Sequence, residues 1–187
     1  MRVLIVPGWN GSGPDHWQTI WERKNGYQRL YQRDWQKPEV EEWTSRLEAA
    51  ISRRAGDVVL VAHSLGCLTV GRWAALYPRS ASQVKCAFLV APPDVGSRPD
   101  CPPPLRRFAA RGSALPFPSV LVASENDPYG TMKFAKETAR GWKSRLVSAG
   151  YAGHINVDSG HGPWPEGAQL LRELMAEVPE QRWRSAS

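Results

Sequence analysis

The chain is poor in cysteine. Its three, Cys67, Cys86 and Cys101, are an odd number in 187 residues, and with no export signal they read as reduced thiols rather than a disulfide framework. None is spaced for a metal site, and no metal or organic cofactor is expected. Long apolar runs are also missing: nothing approaches the roughly 20 residues that cross a bilayer. The opening MRVLIVPGW is too brief for a secretory apolar segment. A cytoplasmic protein with no membrane span is therefore expected. Basic runs are absent too, because the net charge of +6 comes from scattered lysines and arginines, which argues against nucleic-acid binding.

What the chain does have is tryptophan, nine residues at 9, 17, 21, 35, 43, 73, 142, 164 and 183. Rings of that size suit the filling of a core and the lining of a pocket. With 42% hydrophobic residues over 187 positions, the length predicts a single domain spanning 1–187.

Short apolar runs at Arg2–Val6, Asp57–Ala62, Val84–Val90 and Ser119–Ala123 read as buried strands, and Tyr27–Tyr31 and Arg145–Ser148 as weaker ones. Helices are predicted between them. One opens at Pro14 and carries His16, Trp17, Ile20 and Trp21. Another shows Val40, Trp43, Leu47 and Ile51 at spacings of three and four, and others run from Ser64 to Leu76, from about 130 to 141, and through Leu170, Leu171, Leu174 and Val178. Alternating strands and helices predict an α/β fold, a parallel sheet covered on both faces. The stretch 92–118 breaks this rhythm, since eight of the sixteen prolines fall in it. It reads as an irregular excursion and a candidate lid.

The segment VVLVAHSLGCL, residues 58–68, has the strand, sharp turn and helix of a nucleophile elbow, G-x-S-x-G, with Ala62 in place of the first glycine. Such a turn strains the serine backbone and lifts its hydroxyl above the sheet edge. The competing reading of Ser64 is an ordinary helix N-cap. A catalytic serine needs a base and an acid, in the chain order Ser, Asp or Glu, His. Asp127, in SENDP, follows the Ser119–Ala123 strand, and His154, in YAGHIN, follows the last strand. Residues beyond the carboxyl ends of parallel strands can converge.

Each has a rival. Glu125 reads as a solvated loop charge, and Asp127 is favoured because Asp-Pro fixes a turn. His161, in SGHGPWP, competes with His154, which follows the strand more closely; His161 is otherwise expected to line the pocket. His63 should point away from the serine hydroxyl and shape the pocket with Asn10, while His16 is structural or pocket-lining. Cys67 reads as a small buried hydrophobe rather than a thiol nucleophile.

The loop GWNGSG also has two readings. Its glycines, with Asp34 downstream, evoke a dinucleotide site, but Gly8, Gly11 and Gly13 give G-x-x-G-x-G, the wrong spacing. Alternatively its backbone turns to aim N–H groups at a developing oxyanion, the Trp9 amide joining that of Leu65.

Together VPGWNGSGPDHWQ, VAHSLG, ASENDP, AGHIN and SGHGPWPEG resemble the small serine hydrolases of the retinoblastoma-binding protein nine type, in the α/β-hydrolase superfamily. The likeness spans Val3 to about Leu174. It implies a compact three-layer α/β-hydrolase with six strands ordered 2-1-3-4-5-6, and a triad of Ser64, Asp127 and His154. The superfamily's frequent histidine before the loop glycine is Pro7 here. The expected activity is hydrolysis of a small-molecule carboxylic ester. An amidase or acyltransferase using the same triad, or a protein-binding module with a vestigial site, are the alternatives.

Overall fold

A computed structural model describes residues 1–53, 56–109 and 113–178; Trp183 lies outside them. Six strands, β1 (Arg2–Val6), β2 (Gln28–Arg29), β3 (Val58–His63), β4 (Val84–Val90), β5 (Ser119–Ala123) and β6 (Arg145–Ser148), form one sheet. Their order is β2-β1-β3-β4-β5-β6, and every neighbouring pair is parallel. Because successive strand side chains point to opposite faces, the apolar runs divide into two cores. Leu4, Leu60, Leu89 and Leu121 pack against α2 (Val40–Ser52), α3 (Leu65–Leu76) and α6 (Met132–Trp142). Ile5, Val61, Phe88 and Val122 pack against α1 (Trp17–Asn25) and α7 (Pro165–Glu177). The layers are those of an α/β-hydrolase.

Tryptophan fills both cores. Trp17, Trp43, Trp73 and Trp142 are among the largest fully buried side chains. Trp17 also donates from Nε1 to the Ile155 carbonyl at 2.9 Å, tying α1 to the loop after β6.

Three expectations need adjusting. The first helix starts at Trp17 rather than near Pro14, since His16 Nδ1 accepts the Gln18 N–H at 3.1 Å and caps it. The second strand shrinks to Gln28–Arg29, an edge pair on Leu4 and Ile5, because Tyr31 turns to solvent. The proline-rich excursion, read as irregular, holds one helical turn, α5 (Pro103–Arg106); a similar turn, α4 (Pro78–Ala81), lies before β4 and outside it. Val95, Leu105, Phe108, Leu115 and Phe117 enter the core shared with α2, so its apolar side chains supply the anchors that its prolines do not.

The sharpest packing lies where β3 turns into α3. A Cβ added to Gly66 would sit 2.3 Å from the Val6 carbonyl oxygen and 2.8 Å from that of Pro7, both far inside contact distance. The glycine therefore lets the end of β1 lie directly against the start of α3. Gly66→Ala is expected to lower unfolding free energy by about 1–3 kcal/mol, the usual cost of overpacking, measured by urea unfolding. An unchanged midpoint would mean that the two carbonyls move aside freely.

Candidate active site

Ser64 occupies the turn itself, with φ 53° and ψ −126°. A serine there is strained by roughly 1–3 kcal/mol, and its N–H is held by the Val90 carbonyl at 2.9 Å. Its side chain makes no capping bond to α3. The hydroxyl instead meets His154 Nε2 at 2.9 Å. On the other side of the ring, Nδ1 lies 3.0 Å from both Asp127 oxygens. A carboxylate only accepts, so Nδ1 carries the proton and Nε2 is left to accept from the serine hydroxyl.

Two loops must hold the acid and the imidazole in register. Ser124, fully buried at the end of β5, accepts the Ala152 N–H at 2.9 Å and donates to Asn126 Oδ1 at 2.8 Å. The same Oδ1 accepts the Gly153 N–H at 2.8 Å. This latch joins the Asp127 loop to the His154 loop. Tyr129 adds a second tie: its N–H donates to Asp127 Oδ1 at 2.8 Å, and its ring meets the His154 ring edge-on at 4.6 Å. Arg98, from the excursion, lies 5.1 Å from the centre of the Tyr129 ring and donates to the Pro128 carbonyl at 2.9 Å. The latch residues lie in the ASENDP and AGHIN stretches, yet nothing in those stretches shows that they bond to one another, and Tyr129 lies outside both.

The glycine loop after β1 and the turn are equally close. A Cβ on Gly8 would lie 2.8 Å from Ser64 Cβ and 3.1 Å from the Leu65 nitrogen. Gln18, fully buried, donates from Nε2 to the Val61 carbonyl at 3.0 Å and accepts the Ser12 hydroxyl at 2.6 Å, pinning the loop above the strand ends. Leu65 supplies the first amide of α3, which has no helical carbonyl behind it. Trp9, Asn10 and Leu65 all face the same cleft as Ser64 and His154, a cavity of about 570 Å³. Asp34, by contrast, accepts from the Gln36 and Lys37 amides at 2.8 and 3.0 Å. The glycine loop thus folds onto the turn, with Asp34 occupied by its own backbone.

The rival residues fall elsewhere. Glu125 is exposed and accepts from the Ser148 hydroxyl at 3.1 Å. His161, expected to line the pocket, does not: its Nδ1 lies 3.2 Å from the Ser159 hydroxyl and its ring faces Trp164 at 6.0 Å. From the turn before it, Asn156 and Asp158 line the cleft instead. Cys67 is buried, and burial pushes its thiol far above the usual range. His63 lines the cleft and donates from Nε2 to the His154 carbonyl at 2.9 Å. Burial, then the neighbouring His154 and His16, hold it well below the ordinary imidazole range. His16 is lowered to about 4, by burial first, then by Arg29 and His154.

A family model described as serine hydrolase matches residues 3–173. Among solved structures, a YdeN-like hydrolase from Pectobacterium atrosepticum superposes with a TM-score of 0.82 at 31% identity, covering 95% of this chain and 92% of that one. The ydeN product of Bacillus subtilis gives 0.75 at 23% identity, covering 94% and 99%. A monoacylglycerol lipase from Paleococcus ferrophilus shares the fold, with a TM-score of 0.71 at 13% identity over 93% of each chain. No match was found among curated protein sequences.

The two depressed histidines predict a pH response. The unfolded chain takes up protons as pH falls through about 6.5, while folded His16 stays neutral until about 4, so stability is lost as pH falls across that window. The loss from His16 is on the order of 2 kcal/mol between about pH 7 and pH 5. His16→Asn should shrink the difference between urea unfolding free energies at those two pH values; an unchanged difference would contradict the assignment.

Proposed function

As the chain belongs to the serine hydrolase family, we propose that it cleaves small carboxylic esters through an acyl-enzyme formed on Ser64. The observation that carries this reading is the unbroken contact from Asp127 through His154 to Ser64, at 3.0 and 2.9 Å. His154 Nε2 takes the hydroxyl proton as Oγ attacks the ester carbonyl, and Asp127 stabilises the imidazolium that results. The proton then passes to the leaving alcohol. Water, deprotonated by the same nitrogen, releases the acid. Charge on the tetrahedral oxygen falls to the Trp9 and Leu65 amides, each donor of this kind contributing about 10²- to 10³-fold. Asn10 and His63 shape the cleft around the bound ester.

The cleft wall supports the choice of substrate. The excursion presents Pro93, Val95, Cys101, Pro102 and Leu105 to it, an apolar surface suited to an acyl group, and the volume of about 570 Å³ is that of a small-molecule site. Within the family, the motifs around Gly8 and His154 support a place beside the hydrolases of the retinoblastoma-binding protein nine type. A single domain over 1–187 and the absence of any cofactor from the reaction are parts of the same proposal. Among the described residues no helix is long and apolar enough to cross a membrane.

A fluorophosphonate should label the protein once, at Ser64. Ser64→Ala should abolish labelling and lower hydrolysis of a short p-nitrophenyl ester by at least about 10⁴-fold, with His154→Ala close behind. His161→Ala should change turnover by less than about threefold. Labelling that survives Ser64→Ala, or a collapse of activity in His161→Ala, would refute the assignment.

A further inference from the structure

A third imidazole faces the cleft that the triad does not use. His16 stands at the mouth of α1, its ring 4.8 Å from that of His63, which lies 4.9 Å from that of His154. Its two nitrogens are not equivalent. Nδ1 accepts the Gln18 N–H at 3.1 Å, so in the neutral ring the proton sits on Nε2. Among the described residues Nε2 has no hydrogen-bond partner, yet it is not sealed in the interior. The ring lines the same cavity as Ser64. A helix cap needs only an acceptor, which serine, asparagine or aspartate supplies with less bulk. The cap explains Nδ1 and leaves the second nitrogen unexplained.

We propose that His16 Nε2–H is a substrate-binding donor, giving a hydrogen bond to an uncharged oxygen of the ester held at Ser64. The proposal rests on the hydrolase reading of that site. Its class of acceptor follows from charge: a neutral imidazole offers a dipole rather than a cation, so it suits a carbonyl, ether or hydroxyl oxygen rather than a carboxylate. Burial, together with Arg29, keeps the ring neutral at ordinary pH. The other charges on the lining agree. Arg98 is already paired with Asp100, and Asp94 and Asp158 also border the cavity, an environment that repels an anionic ligand. His63 acts beneath it as a support, fixed by its own bond to the His154 carbonyl at 2.9 Å. Held this way, His16 loses little freedom on binding, which is what a specificity contact requires.

Two substitutions separate the donor from the cap. His16→Asn places an acceptor where Nδ1 was and removes the far donor. His16→Gln keeps an N–H near the position of Nε2 and loses the cap. Turnover of a p-nitrophenyl ester and thermal unfolding at about pH 8 should rank the two oppositely: His16→Asn lower in kcat/KM, by about 10-fold against the natural protein, and His16→Gln lower in Tm but higher than His16→Asn in kcat/KM. Activity that follows Tm, or a kcat/KM for His16→Asn equal to that of the natural protein, would overturn the donor role while leaving the hydrolase reading standing. A natural protein that neither turns over the ester nor takes the fluorophosphonate label would remove that reading, and the donor role with it.

Discussion

The site is laid out by one backbone contact, the packing of residues 6–8 against the turn at 63–66. Nothing larger than hydrogen fits on Gly66 beside the Val6 and Pro7 carbonyls, or on Gly8 beside Ser64 and Leu65. That closeness fixes three things together. It brings Trp9 and Leu65 to one cleft, sets the start of α3 over the end of β1, and holds Ser64 in a backbone conformation that serine adopts only under constraint. The parallel pairing of β1 with β3, in register from Arg2 with Val58 to Val6 with Ala62, is what delivers both segments to the same edge.

Around this contact the remaining groups are positioned by polar bonds rather than by apolar packing. The buried Ser124 hydroxyl and the Asn126 amide join the β5 and β6 loops into one bonded piece that carries both Asp127 and His154. Tyr129 ties that piece to the cleft wall, its carbonyl accepting the Asp94 N–H at 2.8 Å while Arg98 covers its ring. The excursion is therefore bonded, through Tyr129, to the Asp127 carboxylate that contacts the His154 ring. The excursion is a wall of the site, held by its own buried side chains.

Much of this was legible in the chain. Strand and helix alternation, small residues flanking Ser64, and an Asp-Pro and a histidine each placed after a strand need only local spacing and the geometry of a parallel sheet. The residues that escaped have no such spacing. Gln18 reads as one more polar position on α1, and only the fold reveals that its amide spans the ends of β1 and β3. Ser124 and Asn126 look like ordinary loop residues beside Asp127. His161 was misplaced because sequence distance from β6 does not tell which way a tight turn exits, and here the turn at Asn156–Gly160 carries the ring toward Trp164. His16 was read as structural or pocket-lining, and it is both, capping α1 through Nδ1 and lining the cleft.

The proposed reaction requires a covalent acyl group on Ser64. Rapid quenching of the protein with p-nitrophenyl acetate, followed by peptide mass spectrometry, tests it directly. One acetyl group should appear on the peptide carrying Ser64 while nitrophenolate is released, and should disappear once the ester is consumed. Ester cleavage with Ser64 never acylated, or with the acetyl group on another residue, would contradict the mechanism.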